Sequence, residues 1–226
     1  MPAAGKMIPM TMSDGATIGV YHVEPQGPRR GGLVLIQEIF GVTEHIREQC
    51  DAYAAEGYEV LAPAIFDREA PGLQASYSAE DRQMALKIAR EAHPFDLSVA
   101  DAQTCIDTLK GKGPVFLTGY CYGGSVTWAA ACRCTGLSAA SAYYGSMIPK
   151  LASDNPRCPV ILHFGRHDQS IPLAGVDRVK AMHPEVPVHV YDAGHGFNSD
   201  RRSDYHEESA QLARRRTLEL FRANGG

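Results

Sequence analysis

Residues 116–125 read FLTGYCYGGS, which places a thiol, Cys121, between Gly119 and Gly123. Small residues two before and two after a nucleophile suit a strand that turns abruptly into a helix, because such a turn crowds those two positions. The residue at the apex takes a strained backbone and projects its side chain above the sheet. The N–H of Tyr122, at the head of the new helix, then faces the place where an oxyanion would form. A positive helix end also favours the thiolate form of a thiol. The pattern therefore predicts a cysteine nucleophile, against the plainer alternative of a cysteine buried before a glycine-rich turn.

A nucleophile needs a base, and the base needs an acid to orient it. In hydrolases that carry their nucleophile on a strand–turn–helix elbow, the chain order is nucleophile, acid, histidine. Of the nine histidines, His22 and His189 fall within strand-like runs, His45, His93 and His183 near helix ends, and His206 in the last helix-like stretch. His195, in YDAGHGF, follows a strand-like run directly and lies between two glycines that free its loop to approach the thiol. For the acid, Asp168 in HFGRHDQSIP is preferred; Asp192, three residues before His195, is the competitor. His163 and His167 beside Asp168 suggest a metal set, but polar residues at a strand end explain them more simply. Glu38 ends the apolar run LVLIQ with a charge that is costly there unless it meets polar groups in a cleft. It is a candidate second partner of the Cys121 thiol, and the neighbouring Ile39 N–H is a candidate oxyanion donor.

These residues need a scaffold, and the rest of the chain describes one. Near-continuous apolar runs at 31–37, 58–63, 113–120, 137–145, 159–165 and 186–192 read as parallel strands covered on both faces. Residues 16–23 alternate and read as an antiparallel edge. Helical stretches are predicted at 44–56, ending at Gly57, at 97–110, ending at Gly111, and at 79–92, 122–134, 172–183 and 204–223. Strands alternating with helices imply right-handed crossovers and a mostly parallel sheet with helices on both faces, whose function gathers at the carboxyl ends of the strands. A chain of 226 residues with 44% hydrophobic and 21% charged residues suits a single domain over 1–226 that needs no disulfide or metal to fold.

The net charge of −4 offers no basic field for nucleic acid. No apolar run is long enough to span a bilayer, and the N-terminal fifteen residues lack the apolar block of a signal peptide. The six cysteines lack a framework spacing, which points to free thiols and a cytoplasmic location. Cys132 and Cys134 form a C-x-C pair without the second pair that a zinc site needs.

Taken in order and spacing, QEIFG (37–41), RQMA (82–85), GYCYGG (119–124), AYYG (142–145), HDQSIP (167–172) and AGHGF (193–197) resemble the dienelactone hydrolase (carboxymethylenebutenolidase) family of the α/β-hydrolase fold, over nearly the whole chain. The resemblance implies a triad of Cys121, Asp168 and His195, and oxyanion donors at Ile39 and Tyr122. It implies that Glu38 holds the resting thiol and swings away when substrate binds, and that Arg82 grips a substrate carboxylate. The position of the family's second carboxylate-binding arginine is Ser199 here, with Arg201 and Arg202 close by, and a family tyrosine four residues after the first arginine is Leu86. The expected activity is cofactor-free, metal-free hydrolysis of an enol-lactone or small ester, with a substrate that carries a carboxylate. A general carboxylesterase or thioesterase, or a non-catalytic ligand-binding protein on the same fold, are the alternatives.

Overall fold

Strands without a polar face must be covered on both sides, and in the computed structural model, which describes residues 5–226, they are. One sheet of eight strands runs in the order β1-β2-β4-β3-β5-β6-β7-β8. The strands are β1 (Lys6–Thr11), β2 (Thr17–Val23), β3 (Gly31–Ile36), β4 (Tyr58–Pro63), β5 (Val115–Tyr120), β6 (Ala139–Tyr143), β7 (Val160–Gly165) and β8 (Val188–Tyr191). From β4 to β8 all neighbours pair in parallel, whereas β1–β2 and β2–β4 are antiparallel. Strands β3 to β7 are buried at every position. Among the described residues, no helix is long and apolar enough to cross a membrane.

The helices are α1 (Glu44–Ala55), α2 (Ala79–Lys87), α3 (Phe95–Leu109), α4 (Tyr122–Arg133), α5 (Leu173–Met182) and α6 (Glu207–Ala223). Helices α3 and α4 pack on one face of the sheet and α1 and α6 on the other. The α6 side closes on Phe221, whose ring stacks on Phe116 of β5 with centroids 4.6 Å apart and meets Tyr58 of β4 edge-on.

Four expectations change in detail. The antiparallel edge is β1, outside β2; its Pro9 and its half-exposed faces hide it from a search for apolar runs. The helix expected at 79–92 is α up to Lys87 and then a π turn over Ile88–Ala92, closed by His93 N–H donating to the Ile88 carbonyl. Pro94 forbids further helix, so His93 is extended (φ −95°, ψ 122°). The helix expected to stop at Gly111 ends at Leu109 in a short 3₁₀ turn, and the glycine with positive φ is Gly113. Finally, α6 starts at Glu207, because the His206 side chain caps it by accepting the Ser209 N–H.

A buried polar chain joins α6 to the sheet. Arg216 donates to the Tyr191 hydroxyl, which lies 2.8 Å from His163 Nδ1; His163 Nε2 is 3.1 Å from Ser141 Oγ, and Ser141 is 2.7 Å from Thr217 Oγ1, which donates to the Ala213 carbonyl. With Tyr191 donating to Nδ1, the ring is satisfied in its neutral form with the proton on Nε2. Burial, then His189 and Arg216, hold His163 well below its usual 6.5. In the unfolded chain this imidazole takes a proton below about pH 6.5 while the folded one resists it, so acid favours unfolding by up to about 1.4 kcal/mol per pH unit. Thermal unfolding of wild type and His163→Gln between pH 7 and 5 checks this: the melting temperature should fall more steeply with acid in wild type than in the variant. Parallel slopes would remove His163 from the acid limb.

Candidate active site

The carboxyl ends of β3, β5, β6, β7 and β8 reach the same edge of the sheet, since Ile36 pairs with Gly119, Tyr120 with Tyr143 and Gly165 with Tyr191. Each of the five following loops delivers a polar or titratable residue. After β5 the chain turns into α4 through Cys121, at φ 57° and ψ −113°. For a non-glycine residue such a conformation costs about 1–3 kcal/mol and persists only where its surroundings over-determine it. They do so by contact. A Cβ on Gly119 would collide with the Gly123 carbonyl, one on Gly123 with Ile36 of β3, and one on Gly124 with the Tyr143 carbonyl of β6. Cys121 N–H donates to that same Tyr143 carbonyl at 3.0 Å.

The loops after β7 and β8 are laced together: Arg166 N–H donates to the Tyr191 carbonyl and His167 N–H to that of Ala193. This lacing sets His195 beside Asp168. His195 Nδ1 lies 2.7 Å from Asp168 Oδ2, and its Nε2 lies 3.1 Å from Cys121 Sγ. Asp168 is buried, and its other oxygen accepts the Ser170 N–H at 2.7 Å. Asp192, the competing acid, instead meets His167 at the surface, 2.7 Å away. Burial pushes His195 down, but the neighbouring Cys121 sulfur and Asp168 carboxylate outweigh it and hold the ring up to about 10. A thiol, imidazole and carboxylate so aligned can attack a carbonyl, shuttle a proton to a leaving group and activate water. The Tyr122 amide heads α4, where helix geometry supplies no acceptor. Ile39 lines the same cleft as Cys121.

Glu38 is buried, yet it makes no hydrogen bond with the thiol. Its Oε2 accepts from the Tyr77 hydroxyl at 3.1 Å, and its Oε1 lies 3.7 Å from Arg202. Burial and then Glu38 hold the Tyr77 phenol protonated; its one proton goes to Glu38, so Ser199, 3.1 Å away, must donate into Tyr77. Contrary to the expectation that it holds the resting thiol, Glu38 is thus bonded to Tyr77, and the sulfur meets His195. Tyr77 reaches it because the Gly41–Gln74 bridge and the Ala75 N–H to Phe40 carbonyl bond tie its segment to the β3 loop.

Arg82 is exposed on α2 and lines the cleft, and among the described residues no carboxylate pairs with it. The arginines after His195 divide. Arg201 is tied outside to Glu48 (2.7 Å), Asp200 and Glu44, while Arg202 lies along Gly196 and over the Tyr77 ring and lines the cleft. Ser199 is fully buried and cannot reach substrate. The cleft has a volume of about 810 Å³, with Arg82, Arg90, Lys150 and Arg202 on its walls above Cys121 and His195. Sequence reasoning missed Tyr77 and Tyr144. The latter has φ 37°, is buried, and sets its ring edge-to-face on His195, 5.2 Å between centroids. An aromatic directly after an apolar run, in AYYG, was the available signal. His22, Glu24 and Glu59 approach one another closely enough to hold a metal, as do His45, Glu48 and Asp200. Arg29 and Lys112 already pair with Glu59, and Arg201 with Glu48 and Asp200, so an ion at either place would have to displace a cation.

A mostly parallel sheet with its nucleophile on a strand–turn–helix elbow is the α/β-hydrolase arrangement. The dienelactone hydrolase family profile matches residues 18–225, and the chain belongs to that family. It is 30% identical to the carboxymethylenebutenolidase of Pseudomonas putida over 219 residues, 92% of each chain. It is 32% identical to the "Putative carboxymethylenebutenolidase" of Escherichia coli K12 over 236 residues, covering 95% of this chain and 85% of that one. The solved structure of the "Putative Dienelactone Hydrolase" of Klebsiella pneumoniae superposes with a TM-score of 0.83 at 28% identity, over 97% of this chain and 99% of that one. The protein is a hydrolase acting on ester bonds.

The His195 protonation state can be read directly. In ¹⁵N NMR the His195 ring should remain doubly protonated through pH 8 in the native protein and lose its proton near pH 10. In Cys121→Ala, where the sulfur is gone, the transition should move down. An unchanged titration in that variant would separate the imidazole from the sulfur.

Proposed function

We propose that the protein hydrolyses an enol-lactone or small ester bearing a carboxylate, through a cysteine acyl-enzyme. The observation that carries this reading is the unbroken line Asp168–His195–Cys121, at 2.7 and 3.1 Å, beneath a cleft walled by cations. The Cys121 sulfur attacks the carbonyl carbon, and the carbonyl electron pair moves to oxygen, where the N–H groups of Ile39 and Tyr122 receive the negative charge. As the tetrahedral adduct collapses, the C–O bond breaks and His195 gives its proton to the departing oxygen. Water, deprotonated by His195, then attacks the thioester and releases the acid, returning sulfur and imidazole to their starting states. Thioesters of this kind risk stalling. In an enol-lactone the oxygen can instead depart as a stabilised enolate without the His195 proton; tethered in the acyl-enzyme, it takes the proton of the attacking water, whose hydroxide cleaves the thioester, which favours that substrate over simple esters. Glu38, held by the Tyr77 hydroxyl, keeps clear of the sulfur while this proceeds.

Arg82 and Arg202 supply the carboxylate anchor, approaching from opposite sides of the chain's order but lining one cleft. A guanidinium grips a carboxylate through two parallel hydrogen bonds. Among the described residues the carboxylates nearest Arg202 are 3.7 and 3.8 Å away, and its guanidinium otherwise lies over the Tyr77 ring, so it forms no tight ion pair that an anion in the cleft would have to break. Six free cysteines support a reducing, cytoplasmic setting.

Cys121→Ala should abolish hydrolysis while Cys132→Ala/Cys134→Ala leaves it largely intact; turnover of an acidic enol-lactone by all three proteins decides the nucleophile. On the same substrate, Arg82→Leu and Arg202→Leu should each lower kcat/KM by about 1.5–3 kcal/mol, on the order of 10- to 100-fold, and leave a neutral ester nearly unchanged. Arg201→Leu should change neither. Equal losses on the acidic and neutral substrates would assign both arginines to the fold and leave a general esterase.

A further inference from the structure

The strained Cys121 is held on its strand side by the bond to Tyr143 and on its helix side by whatever fixes Tyr122. The Tyr122 ring lies between Phe66 and Phe95, with centroids 5.4 and 5.8 Å away, and its hydroxyl is 2.9 Å from Ser98 Oγ on α3. Behind Ser98 the bonding continues. His93 Nε2 is 3.0 Å from Ser98 Oγ, and His93 Nδ1 is 3.0 Å from Glu69 Oε2. Serine, histidine and carboxylate here repeat the atoms of a hydrolytic triad. Yet Ser98 is wholly buried, and its hydroxyl is spent between His93 and Tyr122, so no carbonyl reaches it. What the chain delivers is a fixed Tyr122 phenol, and with it a fixed Cα–Cβ direction at the residue following the nucleophile.

We propose that His93 and Ser98 are positioning residues for hydrolysis: acting through the Tyr122 hydroxyl, they set the plane of the Cys121–Tyr122 peptide and so aim the Tyr122 N–H at the oxyanion. This rests on the reading of Cys121 as nucleophile and of the Tyr122 amide as oxyanion donor. An aromatic slot alone lets a ring slide and rotate; a hydrogen bond at its tip, backed by a buried imidazole and a carboxylate, does not. The π turn before His93 matters for the same reason. It ends at His93 with a bond to Ile88, which places the imidazole under α3 rather than along α2, within reach of Ser98.

The test compares wild type, Tyr122→Phe, Ser98→Ala and their double variant with 4-nitrophenyl acetate as the ester and iodoacetamide as the alkylating agent. Loss of a whole oxyanion donor costs on the order of 10²–10³ in kcat, and a misaimed one less, so each single variant should lose about tenfold in kcat with KM changed less than about twofold. The double variant should be no worse than the singles, because both break one link. Alkylation of Cys121 should stay within about twofold of wild type, since displacement of iodide by sulfur builds no oxyanion. Wild-type kcat in Tyr122→Phe, which removes a single oxygen and keeps the ring, would overturn the proposal. So would equal losses of alkylation and turnover, which would mean that the chain merely holds the elbow's fold. Undiminished turnover in Cys121→Ala would instead overturn the underlying reading, independently of either result.

Discussion

One backbone contact organises the molecule: the close approach of the first turn of α4 to the ends of β3 and β6. Gly123 lies against the Ile36 carbonyl and Gly124 against that of Tyr143, with no room for a side chain at either. The helix can start there only if Cys121 bends the chain through a positive φ, and it can stay only because β3, β5 and β6 are in register beneath it. The strain at the thiol and the burial of the central strands are two aspects of the same packing. The buried sheet supplies the rigidity that a strained turn cannot supply for itself.

Charge is arranged around that turn with equal economy. The chain carries net −4, yet its cleft is walled by Arg82, Arg90, Lys150 and Arg202. Two of the acids beside the cleft are occupied, Asp168 by His195 and Ser170 N–H and Glu38 by Tyr77 and Arg202, and Glu91 leaves the four cations in excess on the walls. Local potential, not net charge, is what an approaching anion meets in a low-dielectric cleft. The His195 imidazole is likewise held above its ordinary value because the sulfur and the carboxylate on either side outweigh the cost of burial.

The strands, the α/β order and the residues at the strand ends were legible because apolar runs with helices between them admit few arrangements. Helix ends and the edge strand were less so. His93, filed among histidines near helix ends, sits in a buried chain that no spacing announces, since Glu69, Ser98 and Tyr122 come from three separate segments. Ser199 stood where an arginine was expected; of the two arginines that follow it, Arg202 lines the cleft, its side chain lying along Gly196, and Arg201 turns outward to Glu48.

By itself the sequence pointed to the elbow: glycines two before and two after a thiol, following a run of apolar residues, fit a strand that turns abruptly into a helix. It likewise determined that a histidine and an aspartate would follow on later strand ends. The sequence preferred Asp168 to Asp192, and the tertiary structure sets Asp168 against His195; it alone put Arg202 rather than Arg201 along the cleft and turned Glu38 toward Tyr77. Those choices depend on which loops cross in space and on which side chains the crossing buries, and neighbours in sequence such as Arg201 and Arg202 point to opposite sides of one loop.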